Sequence, residues 1–121
     1  MLNALVVDDV RTMADSLCRM LALLDVQATP AYGSRAAILY LNENTPQVVF
    51  MDLNMPGLGG MDVISYMQRE PRLANVPVIV VTSDDQPQTA ERARAMGARD
   101  LLVKPVEFEG IERVLQKIGY S

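Results

Sequence analysis

Apolar residues in this chain gather into four short continuous runs: Leu5-Val6-Val7, Val48-Val49-Phe50-Met51, Val78-Ile79-Val80-Val81 and Leu101-Leu102-Val103. None alternates with polar residues, and β-branched or aliphatic side chains dominate. Strands covered on both faces read this way, as they do in parallel sheets. A more polar run, Val26–Ala31, contains Pro30, which cannot donate to a ladder, and is predicted as an edge strand. Between the runs the spacing turns helical. Met13, Leu17, Met20, Leu21 and Leu24 fall at i, i+4, i+7, i+8 and i+11, with Arg11, Asp15 and Arg19 opposite, which predicts an amphipathic helix. Shorter helices are predicted over residues 34–42 and 62–69. Another, over 87–96, has Pro87 at its start and Gly97 beyond its end. Ile111, Val114, Leu115 and Ile118 give the last helix its apolar stripe.

Strand and helix thus alternate five times. That order predicts right-handed crossovers and a parallel sheet with helices on both faces. The expected fold class is α/β: a flavodoxin-like (βα)5 doubly wound five-stranded parallel sheet in the order 2-1-3-4-5. No repeat, low-complexity stretch or linker interrupts it, so residues 1–121 are expected to form one domain. A chain of 121 residues, half of them hydrophobic, buries one proper core but not two.

Composition narrows the chemistry. No apolar run approaches the roughly eighteen residues of a membrane span, so a soluble protein without membrane association is expected. The opening MLNALVVDD lacks a basic segment and does not fit a signal peptide, which points to a cytoplasmic location. The one cysteine, Cys18, excludes an internal disulfide and fits a reducing compartment. The absence of histidine removes Ser/His and Cys/His nucleophile pairs, the usual zinc sites and any histidine phosphoacceptor. A net charge of −4, with Lys and Arg scattered, argues against direct nucleic acid binding.

The strand ends carry the informative polar residues. The first strand runs into Asp8 and Asp9, the third into Asp52, the fourth into Thr82 and Ser83, and the fifth into Lys104. In an open parallel sheet these carboxyl ends share one edge, where ligands bind at the reversal of strand order. Taken singly, Asp8, Asp9 or Thr82 would cap the following helix, and Lys104 would snorkel from a strand end. Together, three carboxylates in one crevice repel one another unless a cation offsets them. Oxygen donors without histidine or cysteine point to a hard ion, Mg2+ (or Mn2+) before Ca2+. Asp52 is then a candidate nucleophile toward phosphorus, with Lys104 and Thr82 as candidate stabilisers of the transferred group; no general base is required.

Asp8-Asp9 after the first strand, Asp52-Leu53-Asn54-Met55-Pro56-Gly57 after the third, Thr82-Ser83 after the fourth and Lys104-Pro105 after the fifth resemble the receiver domain of two-component response regulators. The resemblance spans essentially the whole chain. It implies that Asp52 takes a phosphoryl group from a phosphohistidine on a sensor histidine kinase or histidine phosphotransfer protein. It further implies that Asp8, Asp9, Asp52 and the backbone carbonyl of Asn54 bind the metal. Lys104, Thr82 and the amides of Asn54 and Ser83 would hold the phosphoryl oxygens, and the Lys104-Pro105 bond would be cis. Thr82 would then move toward the phosphoryl group and repack the face of the fourth helix, fifth strand and fifth helix. Such a chain is a signalling switch that catalyses only its own phosphorylation and dephosphorylation, not an enzyme with an external substrate. Its output would lie with a downstream partner or an output domain, and the chain reads equally as a stand-alone regulator or as a receiver excised from a longer protein.

Three positions depart from the common pattern. Leu101 replaces the inward-turning aromatic three residues before the lysine, so the usual aromatic switch is missing: either Thr82 couples to the output face by another route, or phosphorylation alters partner binding with little conformational change. Gly59 stands where an acidic residue is frequent, and Gly57-Leu58-Gly59-Gly60 is expected to be a more flexible loop. Asp84 occupies the family's position for tuning phosphate lifetime, or else caps the helix at Pro87. Met13, Met20 and Met67 are expected in the core, Cys18 as a small buried apolar group, and Tyr32 and Tyr40 as partly exposed without a binding role. Glu107, Glu109, Glu112, Arg113 and Lys117 read as a solvated helix face. A docking module that no longer switches is the alternative. A Mg2+-dependent phosphatase would want its nucleophile on the first strand, and a flavin carrier lacks its phosphate loop.

Overall fold

In the computed structural model, which describes residues 2–120, strands and helices alternate as the pattern predicts. They are β1 (Leu2–Val7), α1 (Arg11–Ala22), β2 (Val26–Ala31), α2 (Ser34–Glu43), β3 (Val48–Asp52), α3 (Gly60–Arg69), β4 (Val78–Thr82), α4 (Pro87–Ala95), β5 (Asp100–Val103) and α5 (Phe108–Lys117). The strands form one parallel sheet in the order β2-β1-β3-β4-β5. β1 starts at Leu2, earlier than its apolar run, because Leu2, Asn3 and Ala4 pair with Val26, Gln27 and Ala28 of β2. β2 is an edge strand, and its Pro30 sits in register with Val6. No helix among the described residues is long and apolar enough to cross a membrane.

The pleat divides the core. Val49 and Met51 of β3 face one cluster with Leu41, Val63, Ile64 and Met67, contributed by α2 and α3. Val48 and Phe50 face the other, with Leu17, Leu21, Ile111 and Val114 from α1 and α5. Phe50, Leu21, Ile79 and Ile111 are wholly buried, and truncating a side chain of this kind to alanine costs about 2–5 kcal/mol. Because both faces are covered, β3 and β4 carry no polar residue until Asp52 and Thr82 at their carboxyl ends.

Local chemistry sets where helices begin. Pro87 opens α4, where its fixed φ suits the first turn and its missing N–H costs nothing. α3 starts earlier than expected, at Gly60: the Gly59 N–H donates to Asp62 Oδ2 at 2.9 Å, and a Cβ at Gly60 would overlap the Asp52 carbonyl oxygen. The glycines therefore press α3 against the end of β3 and do more than loosen a loop.

Three surface expectations need correction. Met13, in the first turn of α1, is 39% exposed. Cys18 is half-buried; burial, with Asp15 beside it, pushes its thiol up to about 11. Arg113 and Lys117 are not merely solvated: their nitrogens lie 2.8 and 3.4 Å from Asp100 Oδ2, tying α5 to β5.

Candidate functional site

From β1 the chain turns to β2 on one side, whereas β3 leads to β4 on the other, so a crevice opens between the ends of β1 and β3. Asp8 follows β1 directly and Asp52 ends β3. Asp8 and Asp52 are buried and Asp9 is exposed, with one oxygen from each of the three carboxylates lying within 4.8 Å of the others. Lys104, just beyond β5, reaches in from the far side. Its Nζ stands 3.2 Å from Asp8 Oδ2 and 3.5 Å from Asp52 Oδ1. The Lys104-Pro105 bond is cis.

The charges do not balance: three carboxylates face one ammonium. Burial pushes the Asp52 carboxyl above its ordinary range and the nearby Asp8 pushes it further, against the Asn54 N–H (3.1 Å to Asp52 Oδ1) and Lys104. A divalent cation would offset the surplus, and donors made solely of hard oxygen fit Mg2+ or Mn2+. Asp8 also serves the backbone, its Oδ1 accepting the Val10 N–H at 3.0 Å ahead of α1. This is a local turn to Val10, the N-cap residue, which itself receives no side-chain cap, so Asp8 does not cap α1 as its position taken singly suggests.

Thr82, at the end of β4, is wholly buried. Its Oγ1 accepts the Asn54 Nδ2–H at 3.2 Å and the Asp84 N–H at 3.2 Å. A hydroxyl has two lone pairs and one proton, so only its O–H remains to offer. Ser83 lies beside it, exposed. Leu101 is half-buried and packs into the cluster of α2, α3 and α4. Asp84 has both carboxylate oxygens engaged, Oδ1 by the Gln86 N–H at 2.9 Å and Oδ2 by the Thr89 hydroxyl at 2.5 Å. These bonds, Thr89 first, hold it below the ordinary carboxylate range.

Two side-chain links tie these loops together, the second in keeping with the cap expected of Asp84. One is the Asn54 side chain, which joins the loop after β3 to Thr82. The other is the Asp84–Thr89 pair; an aspartate shortly before a proline-started helix is a capping signal that points to it. Tyr32 also proves engaged, donating to Asp15 Oδ1 at 2.6 Å beneath the Arg11 guanidinium, 4.3 Å from the ring centroid.

Fold and site together define a doubly wound α/β domain with an acidic, lysine-bridged crevice at its switch point. The chain belongs to the response regulator receiver domain family, which matches it over residues 4–116. It is 31% identical over 118 residues to protein PilH of Pseudomonas aeruginosa, covering 98% of each chain. It is 30% identical over 119 residues to the two-component response regulator ORR12 of Oryza sativa subsp. japonica, covering 96% of this chain and 97% of that protein. The chemotaxis protein CheY4 of Vibrio cholerae superposes with a TM-score of 0.91 over 98% of both chains at 24% identity, and so shares the fold. Receiver domains are signalling domains of two-component systems that bind Mg2+ at an acidic pocket, and Asp8, Asp9 and Asp52 form such a cluster here.

Proposed function

We propose that this receiver is a phosphorylation-dependent switch in which Asp52 accepts a phosphoryl group from a phosphohistidine on a sensor histidine kinase or histidine phosphotransfer protein. The observation that carries this reading is Lys104 Nζ seated 3.2 Å from Asp8 and 3.5 Å from Asp52 at the mouth of a carboxylate cluster. At rest this ammonium offsets part of the carboxylate surplus, and from the same position it reaches an anion that arrives beside Asp52. An Asp52 carboxylate oxygen attacks phosphorus; the new O–P bond forms as the P–N bond of the donor breaks, and its electron pair leaves with the imidazole nitrogen. As a carboxylate, Asp52 has no proton to lose. Lys104 turns to one phosphoryl oxygen, Thr82 donates its remaining O–H to another, and the N–H groups of Asn54 and Ser83 complete the cradle. Asp8, Asp9, Asp52 and the Asn54 carbonyl would hold Mg2+ (or Mn2+), which would supply charge neutralisation. Attack of water on the acyl phosphate restores Asp52, so the chain acts on itself alone. The output surface is the α4–β5–α5 face.

Acetyl phosphate with Mg2+ is expected to label the wild-type chain at Asp52 and to leave Asp52→Asn unlabelled; equal labelling of both, or of neither, sinks the reading. A receiver-like docking module with weak switching is the second reading, favoured by Leu101 packed in the core where an aromatic switch would turn. It requires partner affinity to be the same before and after phosphorylation.

A further inference from the structure

Any phosphorylation signal in this chain must leave the site without an aromatic at position 101. Leu101 is aliphatic and half-buried among the helices of its face, so it offers no polar tip to exchange between Thr82 and solvent. The Thr82 backbone stays tied to the end of β5, where the Lys104 N–H donates to its carbonyl at 2.7 Å, but its hydroxyl oxygen serves Asn54 and the loop that leads to α4. The Asp84 N–H donates to its Oγ1, and the Asp84 carboxylate in turn accepts the Gln86 N–H and the Thr89 hydroxyl. This is an unbroken series of bonds from the end of β4 into the first turn of α4.

From this series, and resting on the reading of Asp52 as phosphoacceptor, we infer that Asp84 is a positioning residue that couples Thr82 to α4. The first turn of α4, in place of β5, then reports the phosphorylation state.

Two further observations support this. First, α4 is the helix least fastened to the core: Ala93 is its one buried residue, whereas α3 buries Gly60, Val63, Ile64 and Met67. A helix so lightly held moves for a bias of a few kcal/mol, and its amino end depends on the Asp84 carboxylate. Second, the Asp84 N–H reaches Thr82 Oγ1 at 3.2 Å, the long end of the hydrogen-bond range. When Thr82 swings its one free donor toward a phosphoryl oxygen, this bond stretches together with the equally long one from Asn54 Nδ2–H, and of the two it is the Asp84 bond that leads into α4. Residues 83–88 are all exposed, so no packing resists the backbone shift that follows. The carboxylate moves with its backbone, and the Gln86 and Thr89 groups move with it or lose it.

The test compares amide chemical shifts of the isotope-labelled chain before and after phosphorylation by acetyl phosphate and Mg2+. Wild type is expected to change over α4. Thr89→Val keeps the side-chain shape but removes the donor to Asp84; Asp52 is still labelled, and the phosphorylation-dependent changes over residues 87–95 are lost. Thr89→Ser restores them. A wild-type α4 response in Thr89→Val overturns the inference. So does a response confined to β5 and abolished by Leu101→Ala. An Asp84→Ala chain with altered phosphoryl lifetime and an intact α4 response also overturns it, and makes Asp84 a lifetime residue. Absence of label at Asp52 in wild type removes the phosphoacceptor reading itself, an outcome distinct from a labelled chain whose α4 is unmoved.

Discussion

At Asp52 two demands oppose each other: the site must gather negative charge to hold a cation, and the fold must tolerate that charge without one. Burial and the neighbouring Asp8 both raise the Asp52 carboxyl, which means that its ionised form is destabilising in the metal-free chain. Asp52→Asn keeps the shape and removes one charge. In Mg2+-free buffer its Tm is expected to exceed wild type by about 3–6 °C, corresponding to roughly 1 kcal/mol; Mg2+ should then raise the wild-type Tm more than that of the variant in thermal unfolding. Lys104→Ala removes the ammonium that now sits between Asp8 and Asp52. Calorimetric titration should show Mg2+ binding retained or tightened several-fold, while phosphorylation no longer produces its amide shift changes. Asp8, Asp9, Asp52, Thr82 and Lys104 were legible in sequence because apolar runs fix where strands end. The Asn54–Thr82 bond was not, nor was Thr89 as the partner of Asp84, since the partner of a short polar side chain depends on the path of its loop.

Elements were legible where a continuous apolar run or a proline marks them. The four apolar runs became β1, β3, β4 and β5, and the proline-bearing run became β2, one of the two edge strands. Helix beginnings were harder: α3 starts at Gly60 because of a backbone contact with Asp52 that no periodicity announces. The pairing of α5 with β5 was likewise hidden, since Arg113 and Lys117 look like any exposed basic residues until Asp100 is placed beneath them. Burial alone would raise the Asp100 carboxyl, but the Leu101 N–H, Arg113 and Lys117 outweigh it and hold it below the ordinary range. The sign follows. A carboxyl depressed in the folded state contributes stability that is complete above its unfolded pKa, about 3.9, and is lost as pH falls through its lower folded value. Urea midpoints measured between about pH 5 and pH 2 should fall more steeply for wild type than for Asp100→Asn. Parallel curves would remove Asp100 from the acid limb.

For the molecule as a whole, the sheet separates two responsibilities. Its faces carry stability in two apolar clusters, and its carboxyl edge carries the polar residues. That separation is why one sequence reveals both. Lys104 and Asp8 meet at 3.2 Å although 96 positions part them along the chain. Contacts of such separation form late, because loop-closure entropy must be overcome before they contribute. In a refolding experiment, competence for acetyl phosphate labelling should therefore appear together with the last tertiary signal and lag the far-UV helical signal. Competence that appears with the helices would contradict this. During synthesis the same arithmetic delays the site: until the ribosome has released the chain just beyond β5, no ammonium stands beside Asp8 and Asp52, and the carboxylate cluster is left without its own counter-charge.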